Sequence, residues 1–201
     1  MNVIIEAMLL GFIAGKIRGG KLDGLTRFAV RMPFLLIAGF LVYVFSGIMI
    51  FLESPFFIEN QLYITIGVHL ILFAVLFFNL QYRSVWLILL GTLGNFTAVV
   101  LNQGKMPLDP VALENAGMHS MLTSLEAGTL HNYISVYEVE GFTTYLGKIF
   151  ATPEVYPFSQ VLTPGDILIA IGLFFLIQRA MLKSAGRFKN MQMNYKTGKF
   201  R

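Results

Sequence analysis

The stretch Thr163-Pro164-Gly165-Asp166, with the run Ile167 to Met181 (ILIAIGLFFLIQRAM) behind it, decides the fold. Pro and Gly end an irregular segment. An Asp at the mouth of an apolar run satisfies N–H groups that a helix leaves open at its start. The run carries no charge until Arg179, and Lys183, Arg187 and Lys189 follow. An apolar helix between a polar loop and a basic flank reads as a membrane span with its C-terminal end in the cytoplasm.

The whole chain agrees with that reading. Of 201 residues, 56% are hydrophobic and 13% charged, about half the charge of a soluble domain. Mean hydropathy is +0.69. The net charge of +4 does not point to nucleic acid, because the Lys and Arg residues flank apolar runs, where they set topology. There is no cysteine, which excludes disulfides, thiolate nucleophiles and Cys-ligated zinc or iron–sulfur sites.

Four further apolar runs precede the fifth, at about 2–17, 33–52, 62–80 and 85–101. The first reaches only ~24 Å at ~1.5 Å per residue, short of a ~30 Å bilayer core, so a locally thinned bilayer is expected around it. Its charges follow the run instead of preceding it, which argues for an uncleaved span over a signal peptide. Gly11 and Gly15 form a GxxxG face, and Gly91 and Gly94 with Ala98 form a second small-residue face; both favour close helix packing. Gly15 to Lys21 also fits G-x-x-x-x-G-K. However, Leu22 stands where Ser or Thr is needed and a helix precedes where a strand belongs. It reads as a basic turn.

With the N-terminus outside, the inner side receives Lys16, Arg18, Lys21, Arg27, Arg31, Arg83, Arg179 and the basic tail 182–201. The outer side receives Lys105 and Lys148 against Glu53, Glu59, Asp109, Glu114, Glu126, Glu138, Glu140 and Glu154. The positive-inside rule then gives a single all-α membrane domain. It is a five-span helix bundle in a bacterial cytoplasmic membrane, N-terminus out and C-terminus in. Its tail is placed to lie on an anionic leaflet. In the outer loop, 102–165, Asp109-Pro110 caps a short helix from Val111 to Ala116 that Gly117 ends. Tyr133 to Val139 and Phe142 to Leu146 alternate like a hairpin around Glu140-Gly141.

Three stretches carry a resemblance: Arg18-Gly19-Gly20-Lys21-Leu22, Asn102-Gln103-Gly104-Lys105-Met106-Pro107, and Gly165 to Gly172 (GDILIAIG). In order and spacing they resemble a bacterial family of small multi-span membrane proteins known as a domain of unknown function. The resemblance implies the same architecture and brings no activity with it. Members typically carry a His in the outer loop, which His131 matches. They also carry a Thr-x-x-x-Leu-Gly-Asp stretch, which Thr143 to Lys148 (TTYLGK) resembles with Lys148 in place of the acid.

Ionisable groups within spans are costly and mark candidate sites. Glu6, His69, Asn95, Asn102 and Asp166 all fall in the outer half of the five-span arrangement, with His131 in the loop above. They suggest an outward-facing polar pocket for a proton, cation or small polar ligand. No catalytic, metal or cofactor signature is present, so the expected role is a non-catalytic binding or accessory subunit. Its partners would be the bilayer and a protein or second copy, met through the glycine faces or the outer loop. Two other classes fit the same residues. One is a small ion-coupled carrier using Glu6, His69 and Asp166, although five spans hold no inverted repeat. The other is a membrane anchor for a redox complex, with a quinone or haem beside His69.

Overall fold

A computed structural model describes the backbone of residues 2–26 and 30–197, together with their side chains except those of 2, 24, 26 and 183–197. Arg27 and the side chains of the basic tail therefore lie outside the described residues. The chain runs through α1 (Asn2–Ile17), α2 (Asp23–Thr26), α3 (Pro33–Phe51), α4 (Pro55–Glu59), α5 (Gln61–Phe78) and α6 (Arg83–Leu101). A folded segment follows, with β1 (Met106–Leu108), α7 (Pro110–Asn115), α8 (His119–Glu126), β2 (Tyr133–Ser135), β3 (Phe150–Ala151) and β4 (Val161–Leu162). The last element is α9 (Pro164–Thr197).

Among the described residues, four helical stretches are long and apolar enough to cross a membrane: Pro33–Phe51, Gln61–Phe78, Arg83–Leu101 and Pro164–Leu182. Each lies on one of the apolar runs of the sequence. The first run forms a helix too, but its 16 residues fall below the ~20 that a bilayer core asks of a straight helix. By length and composition the count is four where the sequence reading expects five. The helix of α9 continues past its apolar part to Thr197, so the backbone of the basic flank extends the last helix.

The long helices neighbour one another in the order α1, α9, α6, α5, α3. Glycine explains why α9 sits so close to both of its neighbours. A Cβ at Gly11 would lie 2.8 Å from the Phe174 carbonyl oxygen, and one at Gly15 would lie 2.6 Å from the Met181 sulfur. On the other side, a Cβ at Gly91 would run into the Gly165 carbonyl oxygen, and one at Gly172 would lie 2.6 Å from Ile88 Cγ1. Between helices in lipid, such close approach gains dispersion contacts where no hydrophobic drive exists. Gly94 differs, because a Cβ there meets nothing within 4 Å. Gly11, Gly15 and Gly91 are thus used inside the chain, against α9.

The helices α1 and α9 run parallel. Val3 N–H donates to Gln160 Oε1 (3.0 Å), just before α9 begins, and Lys21 N–H donates to the Met181 carbonyl (3.3 Å) near the end of its apolar part. One end of the helix layer carries the folded segment; we call it the capped end. At the other, Arg18 Nη1 donates to Gln178 Oε1 (2.6 Å), and the Arg179 guanidinium lies over the Tyr82 ring, 5.7 Å from its centre. Asn79, buried there, mimics a peptide group. Its Oδ1 accepts from Arg31 N–H and its Nδ2 donates to the Arg31 carbonyl, both at 2.9 Å. This clasp ties the chain entering α3 to the end of α5.

The folded segment corrects one expectation. Tyr133–Ser135 does not pair with Phe142–Leu146; it pairs in parallel with Met106–Leu108. Ser135 Oγ accepts from Tyr137 N–H (3.4 Å), and the chain turns there into one short 3₁₀ helix, Val136–Glu138, and later a second, Phe142–Leu146. Both halves of the expected hairpin are thereby diverted. On the free edge of β1, Lys148 N–H donates to the Pro107 carbonyl (2.8 Å) and Asp109 N–H to the Lys148 carbonyl (3.0 Å). Asp109 caps α7 by accepting from Val111 N–H (2.9 Å), and Gly117, at φ 67, follows the helix end. Leu108, Ala112, Leu113, Ala116, Leu125 and Val161 close a small core of the segment's own.

Candidate ligand-binding site

Two polar groupings occupy the capped end, and they differ in whether their hydrogen-bonding capacity is used up. The first is the start of α9. The sequence reading makes Asp166 the cap. In the structure Thr163 holds that place and Asp166 stands three residues on: Asp166 N–H donates to Thr163 Oγ1 (2.7 Å), and Thr163 N–H donates to Asp166 Oδ2 (3.1 Å). This is a capping box with Asp in the third position. Thr163 Oγ1 also donates to Asn95 Oδ1 (2.7 Å), and Asn95 Nδ2 donates to Asp166 Oδ1 (2.9 Å). Lys148 Nζ completes the knot, 3.3 Å from Asp166 Oδ2 and donating to the Val161 carbonyl at 2.9 Å.

Every polar atom of the Asp166 carboxylate is engaged by the protein itself. A carboxylate with both oxygens occupied is poorly placed to take a substrate proton or coordinate a cation. The knot fastens α6, α9 and the folded segment to one another. Its charge is felt nearby: burial first, and then the negative charge of Asp166, push the Tyr133 phenol above its ordinary 10.0.

The remaining candidates separate. His69 Nδ1 lies 2.8 Å from the Thr65 carbonyl, which can only accept, so this nitrogen carries the proton. Its ring packs against Phe96 (5.2 Å between centres) and Phe73 (6.3 Å), joining α5 to α6. Glu6 accepts from Gln160 Nε2 (3.4 Å), and a hydrogen bond to the Glu6 carboxylate raises the Tyr156 phenol above its usual value. Among the described residues no hydrogen bond or ion pair joins Glu6, His69 and Asp166 to one another.

Asn102 and His131 meet in the second grouping, a polar cleft of about 520 Å³. Glu59 of α4 and Gln61 of α5 form one wall. Asn102, Gln103 and Lys105 from the turn after α6 form another, and His131 and Glu138 come from the folded segment. Gly104 lets the walls close. At φ 91 it takes a backbone shape that side chains resist, and a Cβ there would stand 2.8 Å from Gln61 Cγ and 2.9 Å from Leu62 N. Asn102 braces the turn by donating from Nδ2 to the Ala98 carbonyl (2.6 Å).

The cleft holds unused capacity. Gln61 is only 7% exposed, and its side-chain oxygen has no partner. Glu59, Lys105 and Glu138 make no ion pair among the described residues. No three His, Asp or Glu side chains among the described residues converge as metal ligands. What the cleft can do is accept and donate hydrogen bonds to a small polar molecule.

Sequence reasoning names Asn95, Asn102, His131 and Asp166 as candidates, and it does not single out the capping role of Thr163, Gln61 or the charges that line the cleft. The Thr-x-x-Asp spacing carries the signal for Thr163. Gln61 has none, since a polar residue at a span edge looks like an ordinary flank.

No curated protein and no solved structure matches the chain. The pattern of one family does, over residues 27–178: the family of unknown function DUF5317. The chain belongs to that family. The match takes in the Asn102–Pro107 turn and the Gly165–Gly172 helix opening, where Gly104, Gly165 and Gly172 make close contacts. The Arg18–Leu22 turn falls outside it.

Proposed function

We propose that this member of the family is a five-span protein of the bacterial cytoplasmic membrane, N-terminus outside and C-terminus inside, that binds a small polar ligand at its outer face without transforming it. For the fifth span, the supporting observation is that α1 lies along α9 from the bond at Val3 to the bond at Lys21. A helix side by side with a spanning partner over its apolar length crosses what the partner crosses, with the bilayer thinned around its shorter end. The basic residues then gather on the inner side and the folded segment lies outside.

A chain with no cysteine allows a clean test of orientation. Ser120→Cys is expected to react with a membrane-impermeant maleimide in intact cells, and Lys196→Cys only after the membrane is opened. The opposite labelling pattern would reverse the orientation, and labelling of both in intact cells would mean that α9 does not cross the bilayer.

The observation that carries binding is the cleft, lined by a buried Gln61 whose side-chain oxygen has no partner and by ionic side chains that make no ion pair among the described residues. Its volume lies within the ~300–1,000 Å³ of small-molecule sites. The ligand's contribution is measurable as stabilisation: one present at 100 times its Kd raises the unfolding free energy by about 2.7 kcal/mol. Thermal unfolding of the detergent-extracted protein against a panel of small polar solutes should give at least one such shift, reduced in His131→Ala. A flat response across a panel of zwitterions, amines, acids and sugars would sink the binding reading.

A further inference from the structure

We propose that the cleft is built for a zwitterion, a primary ammonium group beside an anionic group, of the kind carried by an ethanolamine phosphodiester. The inference rests on the reading of the cleft as a ligand site and narrows it. Three features of the cleft choose the chemistry.

The unpartnered atom at Gln61 is a carbonyl-type oxygen, so its missing partner is a hydrogen-bond donor. Leaving such an atom buried and unpaired costs about 1–3 kcal/mol, which a ligand N–H removes once the Gln61 side chain turns to meet it. Glu59 and Glu138 supply two carboxylates in the same cleft. Carboxylates accept only, so they too call for N–H donors, and a charged donor makes the stronger bond. A quaternary ammonium has no N–H and satisfies none of the three.

Lys105 adds the opposite sign. It lines the same cleft and has no acidic partner among the described residues, leaving three donors for an anion such as a phosphodiester. A simple amine would leave that ammonium unanswered. A simple acid would face the two carboxylates.

Position suggests where such a ligand comes from. The cleft lies where α6 ends at Leu101 and α5 begins at Gln61, both of which line it. Under the proposed topology this is the level of the outer-leaflet headgroups. The chemistry has two sources, a free solute or a lipid headgroup, and the test separates them.

The full-length protein is reconstituted in nanodiscs of phosphatidylglycerol containing either phosphatidylethanolamine or phosphatidylcholine, and retained lipid is read by native mass spectrometry. In parallel, glycerophosphoethanolamine and glycerophosphocholine are titrated into protein in phosphatidylglycerol alone. The expected result is preference for the ethanolamine compound over its choline counterpart by about tenfold or more, the scale of one lost charge-assisted hydrogen bond. Glu59→Gln/Glu138→Gln and Lys105→Gln should each weaken it by a similar factor. Glu59 and Glu138 are exposed, so the paired substitution leaves the fold intact.

Preference in the lipid arm alone identifies a headgroup, and preference in the solute arm identifies a free ligand; either supports the inference. Equal binding of ethanolamine and choline compounds, or binding indifferent to the three substitutions, overturns it. Binding of some other solute in a His131-dependent manner, with no response to ethanolamine compounds, overturns this inference while sparing the broader one. Silence toward every solute and lipid overturns both.

Discussion

Gly91→Leu is expected to prevent α6 and α9 from docking and to leave little monodisperse protein after extraction. The first atom added at Gly91 already runs into the carbonyl oxygen of Gly165. Backbone cannot rotate out of the way as a side chain does, so the helices must separate along their length. Overpacking within a protein core costs about 1–3 kcal/mol; here Gly91→Ala sits at the upper end of that range and Gly91→Leu exceeds it. Gly94→Leu is the matched control, one turn away on the same helix and facing open space. It should extract and unfold like the parent. Size-exclusion profiles and thermal midpoints of the two leucine variants decide the matter. Matching profiles would mean that α6 and α9 do not depend on this approach.

The second large effect is expected at Asp166. Asp166→Ala removes the acceptor for the Thr163 N–H and for Asn95 Nδ2, and it leaves the Lys148 ammonium without its carboxylate. A lost helix cap costs about 0.5–2 kcal/mol, and hydrogen bonds to charged groups are worth about 1.5–3 kcal/mol each. These contributions overlap, so a total near 3 kcal/mol is expected. Asp166→Asn retains an acceptor for the Thr163 N–H and loses less. Adding Lys148→Met to Asp166→Ala should recover part of the loss, because the stranded charge is then gone. A double-mutant cycle on thermal or denaturant unfolding measures the coupling. Additive losses at Asp166 and Lys148 would show that the pair is only a neighbour relation.

The parts of the fold legible in the sequence are those with a local physical cause. Lipid offers the backbone no partners, so a chain crossing it must be helical and apolar over a fixed length. The runs that become α3, α5, α6 and the first part of α9 are readable for that reason. The Asp109-Pro110 start and Gly117 end of α7 are readable because capping involves only adjacent residues. The pairing of Met106–Leu108 with Tyr133–Ser135 is not, since strands of three residues carry too little alternation to name a partner. Nor is the part played by Asn79, whose amide clasps a backbone far along the chain. In the candidate site, the residue types are visible and their grouping is not. Glu6, His69 and Asp166 read from the sequence as lying at a similar depth, yet they are held by different neighbours, because such a reading says nothing of which helix faces which.

The placement of α9 between α1 and α6 also sets a schedule for assembly. The helix α1 has its principal neighbour in α9, made far later: Gly11 and Gly15 rest on Phe174 and Met181. Translation at ~5–20 residues per second separates their synthesis by roughly 10–30 s. During that interval the GxxxG face of α1 stands bare, the surface of α9 that it rests on not yet synthesised. Truncation before residue 164 should therefore produce an N-terminal helix exposed to whatever quality-control protease scans the bilayer. The arrival of α9 withdraws that face.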